Sequence, residues 1–240
     1  MSHPGDSHAA SFAAGFAASV AAYGLDARHA FAGYGCSFAS RSFNARVTDA
    51  LGSSWVLDDC DAWVSRVAAF LDEVLRPGDV VATTTANWKY DVADDVDYDF
   101  VAELSARVHA RGATFLVLGD VPLLYGTFGV NCASPETRRD CDLDQGLARP
   151  AKQDDAETAW TALRTAKFFR TFDLFCDAGT CGAYAPGTDV LAVVDYGHLS
   201  TAGSLYVAPF LSCFLEAEGL VSPPPPDPDA GTCPASLTDV

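Results

Sequence analysis

Short apolar runs alternate with amphipathic stretches along this chain, and that alternation limits its fold more than any other feature. Asp79 to Thr85 is a β-branched run opened by the turn signal Pro77-Gly78, and Thr114 to Leu118 is a second, just after Gly112. Val190 to Val194 is a third. Runs this short, without polar alternation, fit strands that are covered on both faces. A further short strand is expected within residues 29–35. Between the runs lie segments with helical spacing. Residues 8–22 are Ala-rich and carry Phe12 and Phe16, with Gly24 as the stop. Asp61 to Leu75 places Trp63, Val67, Phe70, Leu71 and Val74 on one face. Tyr98 to Arg111, residues 154–170 and residues 200–218 read as further helices.

Parallel strands joined through helices form a sheet with helices on both faces. The expected fold class is therefore α/β, a three-layer α/β/α arrangement with a mainly parallel central sheet. Residues 126–153, rich in Gly, Pro and charge, read as a long loop. The SPPPPDPDAGT stretch from 222 reads as an extended tail, which leaves residues 1–221 as the domain and 222–240 as the tail. With 240 residues and 49% hydrophobic content, the chain can build its core without a metal or a disulfide.

Charge narrows the partners. Thirty-two acidic residues against 15 basic ones give a net charge of −17, which argues against binding nucleic acid or an anionic membrane surface. No run of about 18 apolar residues is present to span a bilayer. The N-terminal stretch MSHPGDSHAASF lacks the basic region of a standard signal peptide. Eight cysteines nonetheless point to disulfides and to an extracytoplasmic, oxidising compartment. The two observations are reconciled if the chain is part of a longer secreted or membrane-tethered protein. The cysteines have no C-x-x-C pairs, so neither a zinc site nor any other metal or cofactor is expected.

In a parallel sheet, functional groups gather in loops at the carboxyl ends of the strands. That rule directs attention to the start of the first helix, to 86–88, to 119–125 and to 195–198. Gly5-Asp6-Ser7-His8 stands just before the first helix, where backbone N–H groups face any developing negative charge. Asp6 or Ser7 would also serve there as an ordinary helix cap, and His8 reads as a structural histidine of the first turn. Asp195-Tyr196-Gly197-His198-Leu199-Ser200 follows the third apolar run. An Asp three residues before a His can accept its Nδ1–H and leave Nε2 as a base. A serine needs such a base to become a nucleophile near neutral pH. Ser7, Asp195 and His198 together make a coherent catalytic set.

Gly5-Asp6-Ser7-His8-Ala9 and Asp195-x-x-His198-Leu199-Ser200-x-x-Gly203 resemble the first and last blocks of SGNH hydrolases. More narrowly, they resemble the SGNH domain that follows the membrane-embedded acyltransferase-3 domain in many glycan O-acyltransferases. Gly78-Asp79-Val80-Val81 leading to Trp88, and Gly119-Asp120-Val121-Pro122, fit the same pattern in order. The resemblance implies Ser7 as nucleophile, His198 as general base and Asp195 as its orienter. It also implies an oxyanion hole from the Ser7 N–H, a glycine N–H and an asparagine side chain. Gly33 and Gly35 both offer the glycine, with Gly35 assigned, and Asn87 offers the side chain. Trp88, and Tyr196 beside the base, would suit stacking on a sugar.

Gly35-Cys36 with Cys60 resembles that group's cysteine pair, and Cys176 with Cys181 matches a second. The expected bridges are Cys36–Cys60, Cys132–Cys141 and Cys176–Cys181, with Cys213 and Cys233 unassigned. The family's apolar first strand has only Met1-Ser2-His3-Pro4 as its counterpart here, and Pro4 cannot donate to a ladder. The implied activity is cleavage or transfer of an acyl group, acetyl foremost, on a glycan or small ester. The implied partner is a membrane-embedded acyltransferase domain of a longer parent chain. A catalytically inactive module of the same fold, binding glycan or a partner protein, is the competing reading.

Overall fold

The computed structural model describes residues 3–5, 7–21, 23–25, 27, 30–32, 60–84, 98–122, 124, 143–144, 153–195 and 197–222. Its elements run β1 (His3–Gly5), α1 (Ser7–Ala21), β2 (Ala30–Ala32), α2 (Cys60–Val74), β3 (Val80–Thr83), α3 (Tyr98–Ala110) and β4 (Thr114–Leu118). They continue with β5 (Leu143–Asp144), α4 (Gln153–Ala162), β6 (Ala166–Phe169), a 3₁₀ turn (Phe172–Phe175), β7 (Cys176–Asp177), β8 (Thr180–Cys181) and α5 (Thr201–Ala217). The fold is α/β, with a mainly parallel sheet between helices. β1 pairs with β2, β3 with β4 and β4 with β6, all parallel. β1 also lies alongside β3, so the layer runs β2, β1, β3, β4, β6.

Side-chain alternation along the central strands divides the core in two. Val81, Phe115 and Val117 face one side, where they meet Trp63, Val67 and Leu71 of α2, Leu104 and Val108 of α3, and Trp160 of α4. Val80, Ala82, Leu116 and Leu118 face the other side, against Phe12, Phe16 and Val20 of α1 and Val207, Leu211 and Leu215 of α5. Each strand is therefore apolar on both faces, which is why these runs lack polar alternation.

Two expectations need correction. The helix expected over 154–170 ends at Ala162, and Ala166–Phe169 is instead the strand that pairs with β4. A strand places successive residues on opposite faces, and here Phe168 packs into the first core while Phe169 packs into the second. Val190 to Val194 is not a ladder strand. It is an extended segment with single bridges, Tyr184 to Leu191 and Val193 to Leu199, buried at Ala192 and Val193. Val190 to Val193 pack in the core shared with α5 while Val194 is exposed, and the backbone bonds to 183–185 on one side and to 198–200 on the other. β1 spans His3–Gly5, with Pro4 opposite Phe31 of β2.

Helices α1 and α5 pack closely, and small residues permit it. A Cβ at Gly15 would overlap the Ser204 carbonyl oxygen, and the Gly15 N–H donates to Ser204 Oγ at 2.7 Å. Ser212 Oγ donates to the Ser19 carbonyl at 3.0 Å, and Tyr23 OH donates to Glu216 Oε1 at 2.7 Å. Burial, then the Glu216 carboxylate, push the Tyr23 phenol up to about 12, so it stays a donor at neutral pH. At its other end α5 rests on the 192 segment, where a Cβ on Gly203 would overlap Ala192 backbone. Gly203→Ala is expected to destabilise the protein by about 1–3 kcal/mol, because backbone atoms must move to admit the methyl. Urea denaturation at neutral pH measures this, and an unchanged midpoint would contradict so close a contact.

Cys176 and Cys181 are disulfide-bonded, as expected, across the β7–β8 hairpin, where they stand opposite each other. Its two-residue turn has Ala178 and Gly179 both at positive φ, 47° and 85°, the combination that matches strand twist. Cys213 on α5 is also disulfide-bonded. The expected bridges Cys36–Cys60 and Cys132–Cys141 involve side chains outside the described residues.

Candidate active site

The 195–198 loop is shaped by its own aspartate. Asp195 Oδ1 accepts the backbone N–H of Gly197 at 3.0 Å and of His198 at 2.8 Å, which folds the loop around the carboxylate. The Val194 N–H donates to the His198 carbonyl at 3.0 Å and closes the loop at its base. Ser200 then anchors it to α5. Its Oγ accepts the Gly203 N–H at 2.8 Å as the helix N-cap and donates to the Leu191 carbonyl at 2.6 Å.

That loop leaves the second carboxylate oxygen for the imidazole. His198 Nδ1 donates to Asp195 Oδ2 at 2.7 Å. A carboxylate can only accept, so the contact places the ring proton on Nδ1 and leaves Nε2 as the basic nitrogen. Burial pushes the Asp195 carboxyl up. The hydrogen bonds from the His198 ring and from the Gly197 and His198 amides outweigh it, and the carboxyl rests at about 2. Asp195 is therefore ionised wherever the imidazole can act.

A stability prediction follows with a definite sign. The folded carboxyl lies below its ordinary value of 3.8, so its contribution is present above about pH 4 and is lost as pH falls through about 2. The stability gap between wild type and Asp195→Asn should narrow over that window in urea titrations. Its size is modest, because the Asp195 side chain is 41% exposed and solvent screens it. A gap that stays constant from pH 5 to pH 2 would contradict the assignment.

Ser7 is the first residue of α1, directly beyond the C-terminal end of β1. The expected approach of its Oγ to His198 Nε2 involves a side chain outside the described residues. The neighbouring residue shows how the two regions meet. The ring of His8 lies 4.3 Å from that of His198, centroid to centroid, with the planes tilted by 42°. Residues 190 positions apart are thereby brought into contact at the carboxyl edge of the sheet. Gly33, Gly35, Asn87, Trp88 and Tyr196 lie outside the described residues.

Two members of this cluster had no function assigned from sequence. His8 is buried, and its Nδ1 donates to Asp120 Oδ1 at 2.9 Å, with both side chains almost fully enclosed. Asp120 stands just past β4, where the Gly119 N–H donates to the Phe169 carbonyl and ties the chain to β6. The available signals were position, since residues 119–125 follow a strand, and the Gly119-Asp120-Val121-Pro122 block, which gave Asp120 no role. Among the described residues, no cluster of three or more His, Cys, Asp or Glu is placed to hold a metal ion.

A family model described as the SGNH domain fused to AT3 domains matches residues 4–212. No curated protein matches the chain.

Proposed function

The chain belongs to the SGNH hydrolase superfamily, in the family of SGNH domains fused to AT3 domains, and from that premise we propose a serine esterase or O-acyltransferase that acts on acyl esters of glycans, acetyl foremost. The observation that carries the reading is the contact of the α1 start with the Asp195–His198 pair, made through the His8 and His198 rings. It brings the helix that begins with Ser7 to a histidine already held in the tautomer a base requires.

In this mechanism Ser7 Oγ attacks the ester carbonyl as His198 Nε2 takes its proton. The tetrahedral oxyanion is met by the Ser7 N–H at the start of α1, by the Gly35 N–H and by the Asn87 side chain. As the intermediate collapses, the ester C–O bond breaks and the departing alkoxide takes the proton from His198. Acyl-Ser7 remains. A water, or a hydroxyl of an acceptor sugar, then gives its proton to His198 and attacks the acyl carbon. The second collapse releases acid or acylated sugar and returns the proton to Ser7. Hydrolysis and transfer share every step but the identity of that acceptor. Trp88 would stack on the sugar. The chemistry requires no cofactor.

The family's fusion to AT3 domains supports a membrane-embedded acyltransferase domain as a covalent partner, which would supply the acyl group. The disulfides support an extracytoplasmic setting. Among the described residues, no helix is long and apolar enough to cross a membrane.

Acetate release from 4-nitrophenyl acetate and from an O-acetylated polysaccharide, with wild type and His198→Ala side by side, tests the reading. Loss of activity in the variant on both esters is expected. Equal rates for the two proteins would overturn it. Adding a de-acetylated polysaccharide acceptor then separates transfer from hydrolysis by the share of acetyl it captures.

A further inference from the structure

His8 and Asp120 form a second histidine–carboxylate pair, packed against the first with the two rings tilted by 42°. We propose that this buried pair is a positioning device for His198: Asp120 fixes the His8 ring, and the His8 ring fixes the plane of the His198 imidazole. The inference rests on the reading of His198 as the catalytic base and goes beyond it, since neither residue is part of the proposed triad.

Burial is the first argument. The His8 and Asp120 side chains are 2% and 0% exposed. An apolar pair of similar volume would fill such a site with no desolvation cost, whereas a buried carboxylate and imidazole must offset theirs by pairing. Stability alone therefore gives little reason for these residue types here. Geometry is the second argument. Asp120 accepts from Nδ1 at 2.9 Å, the same nitrogen that His198 gives to Asp195 at 2.7 Å. Each ring is thus held at one nitrogen by a carboxylate, and the two ring centroids then stand 4.3 Å apart.

Placement is the third. The three elements involved come from different parts of the sheet's carboxyl edge: α1 after β1, the turn after β4, and the loop before α5. Asp195 holds the His198 ring at Nδ1, and the His8 ring packs against the same imidazole, so the two contacts together restrict its plane. The His198 side chain is only 21% exposed, so substrate would reach it from the side away from His8. A base whose ring plane is already fixed loses less in reaching the transition state, which is the energetic basis of preorganisation.

The test is a set of double-mutant cycles read by steady-state kinetics on 4-nitrophenyl acetate. His8→Asn keeps an amide donor near the position of Nδ1 and removes the ring. Asp120→Asn keeps an oxygen that can accept from Nδ1 and removes the charge. In the wild-type background, each is expected to lower kcat by roughly ten- to a hundredfold with KM changed less than twofold, the scale seen when groups that orient a histidine are removed. In the His198→Ala background, neither should lower the residual rate further, because the residue they act through is gone. Near-UV circular dichroism confirms folding, and if one variant fails to fold the other carries the cycle alone.

Wild-type kcat in a folded His8→Asn or Asp120→Asn overturns the positioning role. So does an equal loss in the His198→Ala background, which would mark a general structural effect. Ser7→Ala distinguishes the two levels of argument. Inactive Ser7→Ala with fully active His8→Asn leaves the triad standing and removes only this inference. A fully active Ser7→Ala overturns both.

Discussion

Replacing Ser7 by alanine is expected to lower kcat for ester cleavage by about 10⁶-fold while leaving the unfolding midpoint nearly unchanged. The substitution removes one oxygen from the first residue of α1, and alanine is the best helix former available. The helix and its packing through Phe12, Phe16 and Gly15 lie further along and are untouched. Without Oγ no acyl-serine can form, so any remaining rate must come from water attacking within the oxyanion hole. Stopped-flow measurement with 4-nitrophenyl acetate makes the point twice. Wild type is expected to give a burst of nitrophenolate if deacylation is slow, and the variant none. Substantial activity in Ser7→Ala would mean that another residue attacks the ester.

Asp195→Asn is expected to cost about 10⁴-fold in kcat, with the fold retained. The asparagine can still accept the Gly197 and His198 amides through one oxygen, so the loop keeps the shape those contacts give it. Its other terminal group becomes an NH₂ donor facing His198 Nδ1. That favours the tautomer with the proton on Nε2, the nitrogen that should accept the serine proton. The loss is therefore one of proton placement. Activity within tenfold of wild type in Asp195→Asn would show that His198 does not depend on this carboxylate.

The parts legible in the sequence were those where local pattern and tertiary role agree. Thr114–Leu118 has the expected bounds, and Val80–Thr83 falls within its expected run, because both are buried on two faces and flanked by turn residues. The helices Ser7–Ala21 and Cys60–Val74 lie within a residue of expectation, since Gly24 and Pro77-Gly78 stop the chain there. The failures came where tertiary contacts override local preference. Ala166–Phe169 continues the apolar spacing of Trp160 and Leu163, and no glycine or proline marks the turn between them. Only pairing with β4 makes it a strand. Val190 to Val194 has strand composition, but its backbone contacts to 183–185 and 198–200 are isolated bridges, and only Val190 to Val193 pack in the core with α5.

The site was legible in part for a similar reason. Asp195 and His198 are three residues apart, so their hydrogen bond is a local property of one loop. Asp120 and His8 are 112 residues apart, and nothing in a single sequence ties them together. Their contact exists because β4 and the start of α1 both end at the same edge of the sheet. A buried histidine in a helix's first turn reads as structural until its neighbour is seen to be a second imidazole.

The central claim is that Ser7 is a nucleophile activated by His198, and one labelling experiment addresses it directly. Wild type, His198→Ala and Ser7→Ala are treated with a fluorophosphonate, and the modified residue is located by peptide mass mapping. A single adduct on Ser7 of the wild type, sharply slowed in His198→Ala and absent in Ser7→Ala, is the predicted result. An unlabelled wild type, or an adduct on a different serine, would contradict the account.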